Sequence, residues 1–167
     1  MILMVFELPD NLHPDCAPVA WLLGRWGGRG KGDYPTIEPF EYGQELVFTH
    51  DGRPFFHYFA RSWIVDADGE KVRDAAQEAG FLRCRPGGDL ELVLAHSSGI
   101  SEIWYGKAEV AKFELHTAGV GFTESAKEVT AGKRLYGNVN SDLLYAYDME
   151  AMGQPLQPHL WAQLERQ

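Results

Sequence analysis

Apolar and polar residues alternate with a period of two along much of this chain. Leu90, Leu92 and Leu94 stand between Asp89, Glu91 and Val93. Leu143, Tyr145, Tyr147 and Met149 alternate in the same way with Leu144, Ala146, Asp148 and Glu150. Successive side chains of a strand point to opposite faces, so each run turns a row of large apolar groups toward one interior. Alternating or β-rich runs recur at 41–50, 54–65, 80–85, 89–96, 100–105, 109–117, 127–136, 142–149 and 156–164. The joints carry turn chemistry, as in Asp51-Gly52, Asp68-Gly69, Pro86-Gly87-Gly88 and Ser97-Ser98-Gly99. The glycine-rich stretch from Gly24 to Gly32 reads as a first strand in which glycines permit tight curvature, with Trp26 plugging one end. Before it, one short helix is predicted: Asp15 caps it, Pro18 suits its first turn, Val19, Leu22 and Leu23 share a side, and Gly24 ends it. The pattern predicts an all-β fold, an antiparallel sandwich or closed up-and-down barrel of about ten strands. It forms a single domain over 1–167, with 1–13 as an N-terminal arm. A closed meander leaves no unpaired edge, and a barrel of this size encloses a ligand cavity.

Composition narrows the function classes. The 167 residues are 45% hydrophobic and carry a formal net charge of −9, and the longest basic run is Lys133-Arg134. A phosphate-backbone binder needs clustered positive charge, so no nucleic acid partner is expected, and the same sign disfavours anionic membrane surfaces. Glu7 and Asp10 follow the apolar opening Met1-Ile2-Leu3-Met4-Val5-Phe6 at once, which predicts neither a secretory signal nor a spanning helix. Cys16 and Cys84 read as isolated thiols rather than a disulfide framework or a zinc site. A cytoplasmic protein is the resulting expectation.

Few residues offer chemistry. The glycine-rich stretch fails as a dinucleotide loop, because it follows a helix and precedes β structure. No Gly-x-Ser-x-Gly elbow is present, and the six histidines show no zinc spacing. His13, His50, His57, His96 and His116 read as polar strand-end or loop residues. His159 differs, because Pro158 stiffens the backbone that enters it while Leu160, Ala162 and Leu164 continue the alternation behind it. One neutral imidazole beside an aromatic-lined cavity is what five-coordinate haem requires, and a satisfied strand-end histidine is the competing reading.

Gly24-Arg25-Trp26-Gly27-Gly28-Arg29-Gly30, continuing through Tyr34-Pro35-Thr36-Ile37, resembles the GxWxGxG signature of the nitrobindins. The C-terminal Pro155-Leu156-Gln157-Pro158-His159-Leu160 is similar to the segment that carries the proximal haem histidine in that family. Phe40-x-Tyr42-Gly43-x-Glu45 and Gly80-Phe81-Leu82-Arg83 extend the likeness over nearly the whole chain. The resemblance implies a ten-stranded calycin barrel, similar to fatty-acid-binding proteins, with one haem b per subunit near the mouth. It implies isomerisation of peroxynitrite to nitrate, binding of NO, and a homodimer. His159 would be the axial iron ligand, with Thr36, Lys127 and Met149 beside the haem. Gly24, Trp26, Gly28 and Gly30 form the motif.

One departure stands out. Where several relatives carry a Met-His pair, this chain has Ala75 and Ala76, which implies a distal side without an imidazole. Two alternatives remain. One is an NO store or sensor without catalysis. The other is a carrier of a hydrophobic ligand, which would want an interior cation; Arg83 and Arg134 are candidates, though both also read as exterior strand charges. Tyr145 and Tyr147 border the cavity or pack the core.

Overall fold

A computed structural model describes residues 7–167; the apolar opening, and with it part of the predicted N-terminal arm, lies outside the described residues. The chain forms β1 (Gly24–Tyr34), β2 (Ile37–Thr49), β3 (Phe55–Val65), β4 (Lys71–Cys84) and β5 (Asp89–His96). It continues as β6 (Ile100–Glu109), β7 (Lys112–Phe122), β8 (Val129–Val139), β9 (Asp142–Ala151) and β10 (Gln157–Arg166). Each strand pairs antiparallel with the next, and β1 pairs with β10, so the meander closes into a barrel. Among the described residues no helix is long and apolar enough to cross a membrane.

The predicted strands are all present, with altered ends. β4 begins at Lys71 rather than at 80. Its first half is exposed on both sides and pairs only with β3, because pairing with β5 starts at Glu78 opposite His96. A segment with no dry face shows no alternation. The short N-terminal helix is a 3₁₀ helix, Pro14–Leu22. Asp15 does not cap it: His13 is the N-cap, its Nδ1 accepting the Asp15 amide at 3.1 Å. Nor does Gly24 end it. Leu23 is the C-cap, and Gly24 opens β1 with a φ of +119°.

This helix closes one end of the barrel. Trp26 is fully buried there, donating its indole N–H to the Leu22 carbonyl at 2.8 Å, with the Arg166 guanidinium stacked 4.2 Å from its ring. The motif glycines let β1 and β10 approach closely. A Cβ on Gly28 would lie 2.3 Å from the Gln163 carbonyl oxygen, and one on Gly30 would lie 2.2 Å from that of Trp161 and 2.6 Å from the Tyr42 ring. The nearest obstructing atom at each position is backbone, so the barrel seam must shift to admit a methyl group. Gly30→Ala is expected to lose about 1–3 kcal/mol, read as a lower urea midpoint at unchanged slope. The connections 35–36, 66–70, 97–99, 123–128 and 152–156 gather at the opposite end. That end is the mouth.

Candidate functional site

Bulges place His159. Pro158 has no amide hydrogen and cannot serve the ladder, so the register between β10 and β9 slips: Pro158 faces Asp148 and Leu160 faces Tyr147, leaving His159 as the extra residue. Strict alternation from Leu160, Ala162 and Leu164 would send His159 to the outer face. The bulge turns it inward instead, and His159 and Leu160 line the same cavity. A second irregularity between Gly32 and Tyr34 of β1 lies alongside, and there the Asp33 carbonyl accepts a hydrogen bond from His159 Nδ1 at 3.0 Å.

That bond sets the chemistry of the ring. With Nδ1 carrying the proton, Nε2 keeps its lone pair, and it makes no hydrogen bond among the described residues. Burial pushes the His159 pKa down and so favours the neutral ring, against the opposing pull of the Asp33 hydrogen bond. Tyr34, Tyr147 and Phe40 meet the imidazole edge-on, with centroids 5.4, 5.8 and 6.4 Å away. Tyr34 is itself fixed, its hydroxyl accepting the Ala151 amide at 3.0 Å and donating to the Met149 carbonyl at 2.9 Å. The result is an oriented, neutral imidazole with one free nitrogen.

The cavity it faces has a volume of about 840 Å³ and opens at the mouth. Thr36 from the β1–β2 turn, Lys127 from the β7–β8 connection and Met149 from β9 all line it with His159. Lys127 stands two residues before β8 rather than within a strand. Ala75 and Ala76 line it from β4. Tyr145 and Tyr147 are buried and line it too, so they pack the core and border the cavity at once. The motif residues Gly24, Trp26, Gly28 and Gly30 are absent from its walls and serve the barrel seam and plug.

Arg134 is a correction. It is not an exterior strand charge but is 1% exposed, and it forms a two-pronged ion pair with Glu78 at 2.8 and 2.9 Å. The Trp104 and Tyr147 rings lie 4.9 and 5.1 Å from its guanidinium carbon. Burial alone would raise the Glu78 carboxyl, but Arg134 overrides it and holds the group well below the usual carboxylate range. Arg83 does lie outside, paired with Glu91 at 3.3 Å. His96 also exceeds its expected role. It ends β5, lines the cavity, places Nδ1 3.4 Å from Glu78 and bonds through Nε2 to the buried Glu102. Gln44, Glu78, His96 and Glu102, which the sequence did not signal, thus join Arg134, a candidate interior cation, in giving the cavity a polar wall.

A family model described as a THAP4-like, heme-binding β-barrel domain matches residues 15–166. The chain is 77% identical over 164 residues to a peroxynitrite isomerase of Nocardioides sp., covering 98% of this chain and 100% of that one. It is 41% identical over 164 residues to a ferric nitrobindin-like protein of Streptomyces avermitilis, covering 97% and 86% respectively. Among solved structures it resembles Rv2717c from M. tuberculosis at a TM-score of 0.84 and 45% identity, covering 93% of this chain and 99% of that one.

Proposed function

The chain belongs to the THAP4-like, heme-binding β-barrel family, and on that premise we propose that it holds one haem b per subunit through His159 and isomerises peroxynitrite to nitrate. The observation that carries the reading is the anchored imidazole, its Nδ1 tied to Asp33 and its Nε2 free beside the cavity. The residues fit the group. An axial ligand must be neutral and oriented; burial favours the first and the Asp33 bond fixes the second. The walls around the ring are aromatic and apolar, as a flat macrocycle requires. The similarity to a peroxynitrite isomerase across nearly the full length supports the activity.

Bound haem would supply an iron centre at which the peroxide bond of peroxynitrite is broken and its atoms are rejoined as nitrate. The chain's own contributions are positional. His159 would hold the iron through its free Nε2. Lys127 offers a cation at the mouth for a propionate, while Thr36 and Met149 fill the edges. Ala75 and Ala76 keep one stretch of wall small, which leaves room for a ligand such as peroxynitrite or NO. We include in this reading a cytoplasmic location and a homodimer. The homodimer is supported by an exposed apolar row on the outer face, Phe81, Val93 and Ile103, side by side across β4, β5 and β6.

The hydrophobic-ligand carrier fares worse. The buried cation of the interior, Arg134, is already spent on Glu78 rather than open to a fatty carboxylate. Titrating the purified protein with hemin separates the two readings. A stoichiometric, shifted Soret band is expected, followed by faster peroxynitrite decay with nitrate as product. Absence of a specific band would overturn the haem reading.

A further inference from the structure

The cavity holds a second group of chemistry-bearing residues that axial ligation leaves unused. In the barrel ring, β10 and β5 stand opposite one another, with β4 and β6 flanking β5. His159 near the start of β10 therefore faces a wall made by Glu78 of β4, His96 at the end of β5 and Glu102 near the start of β6. Ala75 and Ala76 belong to the same wall.

Both ring nitrogens of His96 face carboxylate oxygens, Nδ1 that of Glu78 at 3.4 Å and Nε2 that of Glu102. Glu78 is further held by Arg134 and accepts the Tyr58 hydroxyl, and Arg134 also donates to the Tyr136 hydroxyl at 3.2 Å. Tyr145 and Tyr147 of β9 close the assembly around the guanidinium. Arg134 offsets the charge of Glu78. One strong acceptor is left over. Glu102 is 2% exposed and lines the cavity, yet its Oε2 has no hydrogen-bond partner among the described residues. A buried carboxylate oxygen without a donor is costly, and a donor arriving with a ligand relieves that cost.

We propose that Glu102 is the proton acceptor for a weak acid entering the cavity, in place of the imidazole that Ala75 and Ala76 cannot supply. The inference rests on the haem reading. The acid HX gives its proton to Glu102 Oε2, the H–X electron pair stays with X, and the anion is free to bind in the cavity that His159 and Glu102 share. The carboxylate becomes a carboxylic acid. The wall loses one negative charge, which favours an anion in the cavity. When the anion departs, the proton returns to it or to water at the mouth. Small oxoacids and hydrogen cyanide are the class of ligand this arrangement suits.

The test uses the hemin-loaded protein and cyanide, which near neutral pH is present almost entirely as the weak acid. Protons released on cyanide binding are counted with a pH indicator in weak buffer. The wild type is expected to release clearly less than one proton per cyanide bound, because Glu102 retains it. Glu102→Gln, nearly isosteric, should release one full proton and bind cyanide at least about tenfold more slowly, at the low end for a positioned proton acceptor. A full proton released by the wild type overturns the proposal even if the variant fails to fold. Equal rates and equal proton counts in the two proteins overturn it as well. A wild type with no hemin band overturns the haem reading and this inference together; a normal band with a full proton released overturns this inference alone.

Discussion

His159→Ala is expected to abolish stoichiometric hemin binding while leaving the barrel folded. The imidazole offers the one free nitrogen beside Tyr34, Phe40 and Tyr147. Its removal takes away the axial bond and leaves only apolar contact and a mouth cation to hold the macrocycle. The expected loss in affinity exceeds about a hundredfold, more than is typical for disturbing a ligand's outer partner alone. Far-ultraviolet dichroism should be unchanged, because His159 is the extra residue of a bulge and contributes no regular ladder pair. Exogenous imidazole should restore a bound band by entering the space the side chain leaves. The wild type provides a parallel result in acid. Burial lowers the His159 pKa, so its lone pair stays available through the ordinary histidine range, and the band should fade only as the pH drops below that range. Retention of a shifted Soret band by the alanine variant would remove His159 as the ligand.

The parts of this molecule that could be read from its sequence share one property: their signal is local. Leu90, Leu92 and Leu94, or Leu143, Tyr145 and Tyr147, announce a strand and its inner face within a few residues, and the structure buries all of them. The first strand was legible from its glycines because close packing at Gly28 and Gly30 leaves no room for anything else. Where burial does not alternate, the signal fails. Residues 71–77 of β4 are exposed throughout, so the strand's first half carries no pattern to read. His159 sits between these cases. Pro158 beside it is visible, but its inward direction depends on a bulge that simple alternation contradicts. The polar wall was illegible for a different reason. Arg134 and Glu78 are 56 positions apart on β8 and β4, and a single charge within a strand looks the same whether it points out to water or in to a partner.

That pair also predicts the largest stability effect in the molecule. Arg134→Ala is expected to destabilise the fold by about 3–5 kcal/mol, because it strands Glu78 against a desolvated wall while opening a void between Trp104 and Tyr147. Lysine at this position should restore only part of the loss, since a point charge can neither reproduce the fork at 2.8 and 2.9 Å nor stack in the same way. Replacing both members, Glu78→Leu with Arg134→Met, should recover most of it, because removing both charges also removes the cost of burying them. Urea unfolding of the four proteins checks this order. The pH dependence supplies an independent signature. Tyr58, Arg134 and His96 all face Glu78, and its carboxyl is held at about 2 in the folded state, below the ordinary carboxylate range. A carboxyl depressed in this way stabilises the fold above its unfolded value, and the gain is lost as pH falls through the folded one. The wild type should therefore gain stability as pH rises through that window. With Arg134 gone, burial pushes Glu78 the other way and this rise should disappear. An Arg134→Ala protein that kept the wild-type acid profile would show that something other than the guanidinium holds the Glu78 charge.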